Sequence, residues 1–290
     1  MRNRLPRFLF RALVACLPVL GLSLAFAPTA GAATTGSHTS QYARALATAR
    51  AYLKHLSVGQ HATDHRVKGH AVQVYGLTQV QSTNWSGYAD DNTGGHTYST
   101  VTGHWTEPSV TCTSTTALAA FWVGIDGFTS GSVEQDGTLA ECSGGRAFYF
   151  SWWEMYPTNS IQVVGSSVAA GDSISASVVK SSSSYTLKVT DSTHSANSFT
   201  TTQTCSSCAD TSAEWIAEAP SGSGGIFPLP NFHSWTVSSA TVKSGSTSGV
   251  ISTFPDDELT MINNSGAVKA QPGALNASGN GFTVTWKRST

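Results

Sequence analysis

Short runs of alternating apolar and polar residues recur along the chain after residue 84, and glycine, serine, asparagine, aspartate and proline interrupt them. Successive side chains of a strand point to opposite faces, so this alternation predicts half-buried strands. The predicted strands cover residues 98–107, 117–126, 147–156, 173–180, 185–190, 213–219, 236–242, 259–262 and 282–286. Regularly spaced strands without helices between them predict an all-β fold, an antiparallel β-sandwich of two large sheets of the concanavalin-like kind.

The N-terminal part of the chain has a different pattern. Four arginines at positions 2, 4, 7 and 11 precede an apolar run at 12–27, which is shorter than the roughly 20 residues of a membrane-spanning helix. Small residues follow at 30–32, as at a signal-peptidase site, so the sequence predicts a signal peptide over residues 1–32 and secretion from the cell. A signal anchor is the alternative interpretation.

Residues 33–81 form a basic segment that contains one predicted amphipathic helix at 41–56. The segment holds five lysines and arginines, five of the nine histidines and a single acid, Asp64. We interpret it as a partly helical prosegment that precedes a β-sandwich domain at 82–290. A linker without an inhibitory role is the alternative.

The domain itself is poor in charge and carries an acidic balance. Only 11% of the whole chain is charged, which argues against disorder and coiled coils. From residue 82 onward, seven basic residues stand against sixteen acidic ones. Such a balance repels nucleic-acid phosphates, and no basic stripe or basic amphipathic helix is present in the domain, so we expect neither nucleic acid nor a membrane as a partner.

Four cysteines remain after Cys16, which lies in the predicted signal peptide. An even number of cysteines in an oxidising compartment predicts disulfides. We favour the pairs Cys112 with Cys142 and Cys205 with Cys208, although three pairings exist. A zinc site is the weaker reading of a single C-x-x-C, so we expect no metal and no cofactor.

Three of the predicted strands carry aromatic and acidic side chains on one face. Trp122 and Asp126 share a face of one strand, and Glu214 and Glu218 share a face of another. A third strand alternates Trp152, Glu154 and Tyr156. A face of this composition suits a cleft that binds a chain-like ligand. Each residue taken singly has a structural explanation, as a core aromatic or as an acid bonded to backbone amides.

The common hydrolytic motifs are absent. Residues 171–175 (GDSIS) read as the start of a strand, and no G-x-S-x-G or H-E-x-x-H motif occurs. The Asp-Thr-Gly and Asp-Ser-Gly loops of aspartic peptidases are also missing. Acid-base chemistry must therefore come from other side chains.

Several ordered motifs together resemble those of the glutamic peptidases, the eqolisins of peptidase family G1, which are secreted acid endopeptidases with a β-sandwich fold. The motifs are residues 84–88 (NWSGY), 121–127 (FWVGIDG), 134–137 (EQDG), 152–157 (WWEMYP), 171–174 (GDSI), 213–218 (AEWIAE) and 229–232 (LPNF). They span nearly all of the predicted domain.

This resemblance implies a catalytic pair formed by Gln135 and Glu218. Glu218 would be the general base and then the acid, and Gln135 would stabilise the oxyanion. The resemblance also implies that Trp122, Asp126, Glu154 and Tyr156 line the cleft, and the strand pattern adds Trp152 and Glu214 as substrate-binding candidates.

The expected protein is a monomeric acid endopeptidase, insensitive to pepstatin, that cleaves polypeptides and is made as a zymogen. Its basic prosegment would lie against the acidic cleft as an intramolecular inhibitor near neutral pH and leave it in acid. The alternative is a carbohydrate-binding or glycan-hydrolysing sandwich with Glu154 and Glu218 as its acid pair. The alternative gives Gln135 no chemical role, because a glycosidase needs two carboxyls.

Overall fold

The computed structural model describes residues 72–74, 77–222 and 224–290, together with the two positions Ala43 and Ala47. The predicted signal peptide and most of the predicted prosegment therefore lie outside the described residues. Ala43 and Ala47, which fall in the predicted helix at 41–56, are helical and exposed. In the part of the chain that is described, no helix is long and apolar enough to cross a membrane.

The first sheet contains the strands of the candidate site. In spatial order it runs β8–β7–β6–β5–β12–β3–β17–β2–β1, and all neighbours are antiparallel except β17 and β2. These strands are β1 (Val72–Val74), β2 (Leu77–Ser82), β3 (Trp85–Asp90), β5 (Ala117–Ile125), β6 (Val133–Ser143), β7 (Arg146–Tyr156), β8 (Asn159–Val168), β12 (Ala213–Glu218) and β17 (Asp256–Ile262). The predicted boundary between prosegment and domain, at 81/82, falls inside β2.

The second sheet packs against the first in the order β11–β10–β9–β4–β15–β16. The long strand β15 joins the two layers, because its first residues pair with β19, which continues through β18 to β17. The remaining strands are β4 (Tyr98–Thr106), β9 (Ser173–Ser181), β10 (Ser184–Asp191), β11 (Phe199–Thr204), β13 (Ser221–Gly222), β14 (Gly225–Ile226), β15 (Ser234–Ser244), β16 (Thr247–Gly249), β18 (Val268–Pro272) and β19 (Phe282–Trp286). Two short 3-10 turns lie at Ser195–Asn197 and Ile251–Thr253.

Apolar side chains fill the space between the two sheets. Phe121, Val123 and Ile125 of β5 point into this core, where they meet the second sheet and large aromatics such as Trp235. The alternate residues of the same strands form a second cluster on the opposite face of the first sheet, which includes Trp122. Both faces of β5 are therefore buried, as a strand in the middle of a covered sheet requires.

The structure confirms the all-β sandwich, and each predicted strand after residue 97 has an observed counterpart. It also contains strands that the alternation did not predict, among them β3, β6 and β8. Strand β6 was missed because glutamate, aspartate and glycine disfavour strands, whereas here both of its faces are buried and accept these residues.

Both favoured disulfides are present. The Cα atoms of Cys112 and Cys142 lie 5.3 Å apart, and those of Cys205 and Cys208 lie 5.7 Å apart, within the usual range for a disulfide. The first bond joins the loop before β5 to β6, and the second closes a tight loop before β12.

Candidate active site

The candidate catalytic residues lie on one face of the first sheet. In the antiparallel register, Gln135 of β6 lies opposite Gly124 of β5 and Glu154 of β7, while Glu218 of β12 lies opposite Ala120 and Trp85. Residues that pair across strands share a face, so Glu218, Trp122, Gln135 and Glu154 all point to the side away from the inter-sheet core.

Two N–H donors hold the Glu218 carboxyl, which is 2% exposed. The indole Nε1 of Trp122 donates to Oε2 at 2.9 Å, and the amide Nδ2 of Asn84 donates to Oε1 at 3.3 Å. Each carboxyl oxygen thus has its own donor.

Gln135 is held by a carboxylate. Its Nε2 donates to Glu154 Oε2 at 2.6 Å, and both side chains are about 1% exposed. The Oε1 atom of Gln135 is buried and has no hydrogen-bond partner among the described residues. A buried acceptor without a partner calls for a functional explanation, and a side-chain amide has a second N–H besides the one bound to Glu154.

Trp122 lies between the two candidate catalytic side chains. Its Nε1 points to Glu218, while the far side of the indole covers Gly124, where a Cβ atom would lie 2.9 Å from the ring atom Cζ3 and 3.1 Å from Cβ of Gln135. A Cβ on Gly137 would lie 2.1 Å from the carbonyl oxygen of Phe121 and 2.8 Å from Cβ of Trp122. These glycines let the indole lie flat along β5.

Aromatic and apolar side chains complete the face. Trp85 packs edge-on against Trp122 with ring centroids 4.9 Å apart. Trp152 is buried in the same cluster, and Val80, Phe148, Val163 and Phe227 pack against it from its rim. Tyr156, at the end of β7, is partly exposed. The face is thus a largely apolar surface with a few polar groups, as in small-molecule and peptide sites.

Glu214 lies on this face opposite Gly124, and it is completely buried. Burial raises the pKa of Glu214 well above its usual range, so this carboxyl is protonated over the acidic range. Glu214 therefore adds no negative charge near Gln135 in acid.

Asp126 is located differently from what the alternation of β5 suggests. The strand ends at Ile125, and Asp126 adopts a φ of 68°. Its carboxylate accepts the backbone N–H groups of Ala209, Asp210 and Thr211 at 2.7 to 2.9 Å and the hydroxyl of Ser132 at 3.0 Å. The backbone bonds anchor the loop that precedes β12, so the described hydrogen bonds of Asp126 are to the protein's own backbone and hydroxyl groups.

The residues that flank Gln135 point into the inter-sheet core. Burial and the nearby Asp126 carboxylate raise the pKa of Glu134 to about 11, and burial raises the pKa of Asp136 well above its usual range. Neither group lies on the face that carries Gln135, because successive residues of a strand alternate.

Asn84 is the site residue that sequence reasoning missed. Residues 84–86 match the N-glycosylation pattern, yet Asn84 is completely buried and its Nδ2 is bonded to Glu218. A glycan on that nitrogen is incompatible with this environment. The signal in the sequence is the place of Asn84 at the start of the motif at 84–88, which does not indicate its partner Glu218.

Comparison with known proteins agrees with the fold and the motifs. The model of the Peptidase A4 family matches residues 83–286. Aspergillopepsin-2 from Aspergillus niger is 29% identical over 230 residues, covering 71% of this chain and 78% of that protein.

Solved structures of two glutamic peptidases are among those similar to this one. The aspergilloglutamic peptidase from Aspergillus niger is 29% identical with a TM-score of 0.51, over 59% of this chain and 99% of that one. The scytalido-glutamic peptidase, solved with a transition state analog inhibitor, is 24% identical with a TM-score of 0.60, over 71% of this chain and 98% of that one. At this identity the second likeness concerns the fold.

Proposed function

Since the chain belongs to the Peptidase A4 family, whose model covers residues 83–286, we propose that Glu218 and Gln135 are the catalytic pair of this glutamic endopeptidase. The protein is a peptidase that acts on polypeptide substrates. The proposal assigns the chemistry within that activity to named side chains, and it adds that the enzyme works in acid, is secreted and is made as a zymogen.

In the proposed reaction, Glu218 takes a proton from a water molecule as the water oxygen attacks the carbonyl carbon of the scissile peptide bond. The carbonyl oxygen becomes an oxyanion, and the second N–H of Gln135 donates a hydrogen bond to it. The tetrahedral intermediate then collapses and the C–N bond breaks. Glu218 returns its proton to the departing amine, so that the base is restored.

This proposal depends on one observation, which is that Glu218 accepts hydrogen bonds in the structure whereas Gln135 donates one. Glu218 is an acceptor that binds one N–H donor on each oxygen and has further lone pairs, whereas Gln135 gives one N–H to Glu154 and retains another. Glu154 is then a residue that orients Gln135. Trp122, Trp152 and Tyr156 are proposed to contact the substrate chain.

The zymogen part of the proposal is supported by the edge of the first sheet. Strand β2, most of which falls in the predicted prosegment, pairs in parallel with β17 from Thr78 to Ser82. Val80 of β2 packs against the aromatic cluster that contains Trp122. The C-terminal end of the predicted prosegment therefore lies beside the proposed cleft.

The test is the rate of cleavage of a denatured protein from pH 2 to pH 7, with and without pepstatin. We expect acid-limited, pepstatin-insensitive cleavage by the activated wild type. Glu218→Gln should lower kcat by roughly 10²- to 10⁴-fold through loss of the base. Gln135→Ala should lower it by about 10²- to 10³-fold through loss of the oxyanion donor.

Glu141→Gln is the matched control, since Glu141 is a buried acid on the same strand and the same face as Gln135 but six residues away. It should leave kcat unchanged. Near-wild-type cleavage by Gln135→Ala would refute the proposed pair. Sensitivity to pepstatin would also contradict the proposal.

A further inference from the structure

We propose that Asn84 is a positioning residue that fixes the orientation of the Glu218 carboxyl for catalysis. This inference rests on the proposed function, in which Glu218 is the general base. It concerns a side chain that no motif argument assigned to the site.

Asn84 is held so that its amide can reach Glu218. Its backbone carbonyl accepts the N–H of Ala219 at 2.8 Å, and its backbone N–H donates to the hydroxyl of Ser82 at 3.3 Å. The next residue, Trp85, lies directly opposite Glu218 in the register of β3 and β12. The backbone is therefore fixed on both sides of the side chain that donates to Glu218.

Asn84 and Trp122 form a clamp on the carboxyl. Asn84 Nδ2 lies 3.3 Å from Oε1, and Trp122 Nε1 lies 2.9 Å from Oε2. With one donor on each oxygen, the plane of the carboxyl cannot turn without losing a hydrogen bond. A base must point its lone pair at the attacking water, so this orientation affects the transition state more than substrate binding.

The titratable side chains that share this face of the sheet with Glu218 are Glu141, Glu154, Tyr156, Glu214 and Asp257.

The test uses the activated enzyme and a fluorogenic peptide substrate, and it compares two replacements of similar shape. Asn84→Leu removes the donor, and we expect kcat to fall about 10- to 100-fold while KM changes by less than about 2-fold. Asn84→Asp has a donor only while its carboxyl is protonated. Since burial keeps a carboxyl protonated in acid, its kcat should lie within about 5-fold of wild type near pH 3, and its KM should also change by less than about 2-fold.

Ser86→Ala is the matched control, because Ser86 is equally buried two residues away but belongs to the other face of β3. It should leave kcat unchanged. Unfolding temperatures of all variants separate positioning from folding. If Asn84→Leu does not fold, Asn84→Ala, which also lacks the donor, replaces it in the comparison. Wild-type kcat in Asn84→Leu, or a kcat of Asn84→Asp near pH 3 as low as that of Asn84→Leu, would overturn the inference.

Glu218→Gln, measured in parallel, separates the two hypotheses. If that variant stays active, Glu218 is not the general base and the proposed function is refuted. If it is inactive while Asn84→Leu keeps wild-type kcat, Glu218 is the base but Asn84 does not position it.

Discussion

Asp126 shows that a residue can belong to a site motif and yet be bound elsewhere. Residues 121–127 resemble the family motif, and alternation along β5 assigns Asp126 to the face of Trp122. Alternation applies only inside a strand, however, and β5 ends one residue earlier. The role of Asp126 in substrate contact stays a prediction, whereas its bonds to the 209–211 backbone are observed.

We therefore expect Asp126→Asn to act mainly on stability. The amide nitrogen of asparagine faces backbone N–H donors where a carboxylate oxygen accepted them, so buried donors lose their partner. The free energy of unfolding should fall by about 2 to 3 kcal/mol. Urea unfolding at pH 4 measures this loss, with kcat and KM determined on the folded fraction. A normal stability combined with a KM raised more than 10-fold would instead assign Asp126 to the substrate.

At the same scale, the sequence could identify Gln135 and Glu218 only through the resemblance of several motifs taken together. Alternation found the shared face of Trp152, Glu154 and Tyr156 within one strand, because it needs only the local chain. It could not find Asn84. The bond between Asn84 and Glu218 joins residues 134 positions apart, and which strands are neighbours is a property of the whole sheet.

At the scale of elements, strand β6 depends on Gly137. This glycine lies opposite Trp122 of the neighbouring strand β5. A Cβ atom on Gly137 would collide with the carbonyl oxygen of Phe121 and with Cβ of Trp122. The same close approach lets Trp122 extend toward Glu218. Sequence patterns alone give no reason for a glycine in the middle of a strand.

Gly137→Ala should push β5 and β6 apart and displace Trp122. We expect a loss of about 1 to 3 kcal/mol in the free energy of unfolding, together with reduced kcat. Gly131→Ala is the control, because a Cβ there meets no atom within 4 Å. Equal stability of the two variants in urea titrations would contradict the argued contact.

For the whole molecule, the distribution of charge is the least expected feature. Of the sixteen acids from residue 82 onward, fourteen are buried and only Asp91 and Asp256 are partly exposed. Among the seven bases of that region, Lys269 is the buried one. The composition gives the count of charges, but it does not say which of them the fold buries.

Burial gives many of these acids raised pKa values. Burial raises the pKa of Glu107 from 4.5 to about 8, although bonds from Thr138 and Trp105 oppose the shift, and burial raises that of Glu141 to about 7. The pKa values of Asp90, Asp136 and Glu214 also rise well above their usual range. At a pH between the unfolded and the folded pKa, each of these groups is protonated in the folded protein and ionised in the unfolded chain.

The folded protein should therefore lose stability as the pH rises. Below about pH 4.5 both states of Glu107 are protonated, and its contribution is fully present. Between pH 4.5 and about 8 unfolding releases the proton, so the free energy of unfolding falls by about 1.4 kcal/mol per pH unit for this group, and its contribution is lost above that range.

Unfolding temperatures measured from pH 3 to pH 8 test this effect, and we expect the unfolding temperature to fall as the pH rises. Glu107→Gln should flatten the decline, while Asp91→Asn, at a partly exposed acid, should not. Burial alone would raise the pKa of Asp191, but N–H donors from His194, Asn197 and Thr193 lower it, so this group acts in the other direction below about pH 3.8. A stability that rises from pH 4 to pH 7 would contradict the assignment.

The same burial weakens the electrostatic part of the zymogen hypothesis. The expected attraction between prosegment and domain assumed that the domain's acids are ionised and near its surface. With fourteen of sixteen buried, the attraction depends on fewer charges, and contacts such as that of Val80 with the aromatic cluster gain weight.

Because its acids lie inside and most of its bases outside, the folded domain presents a surface whose sign is opposite to that of its composition. Arg146, Lys188, Lys243, Lys287 and Arg288 are all exposed. Near pH 5 the native domain should migrate as a cation in an electric field and bind to a cation exchanger. Denaturation would release the acids and reverse the direction of migration, so that the native and the unfolded protein separate by the sign of their charge.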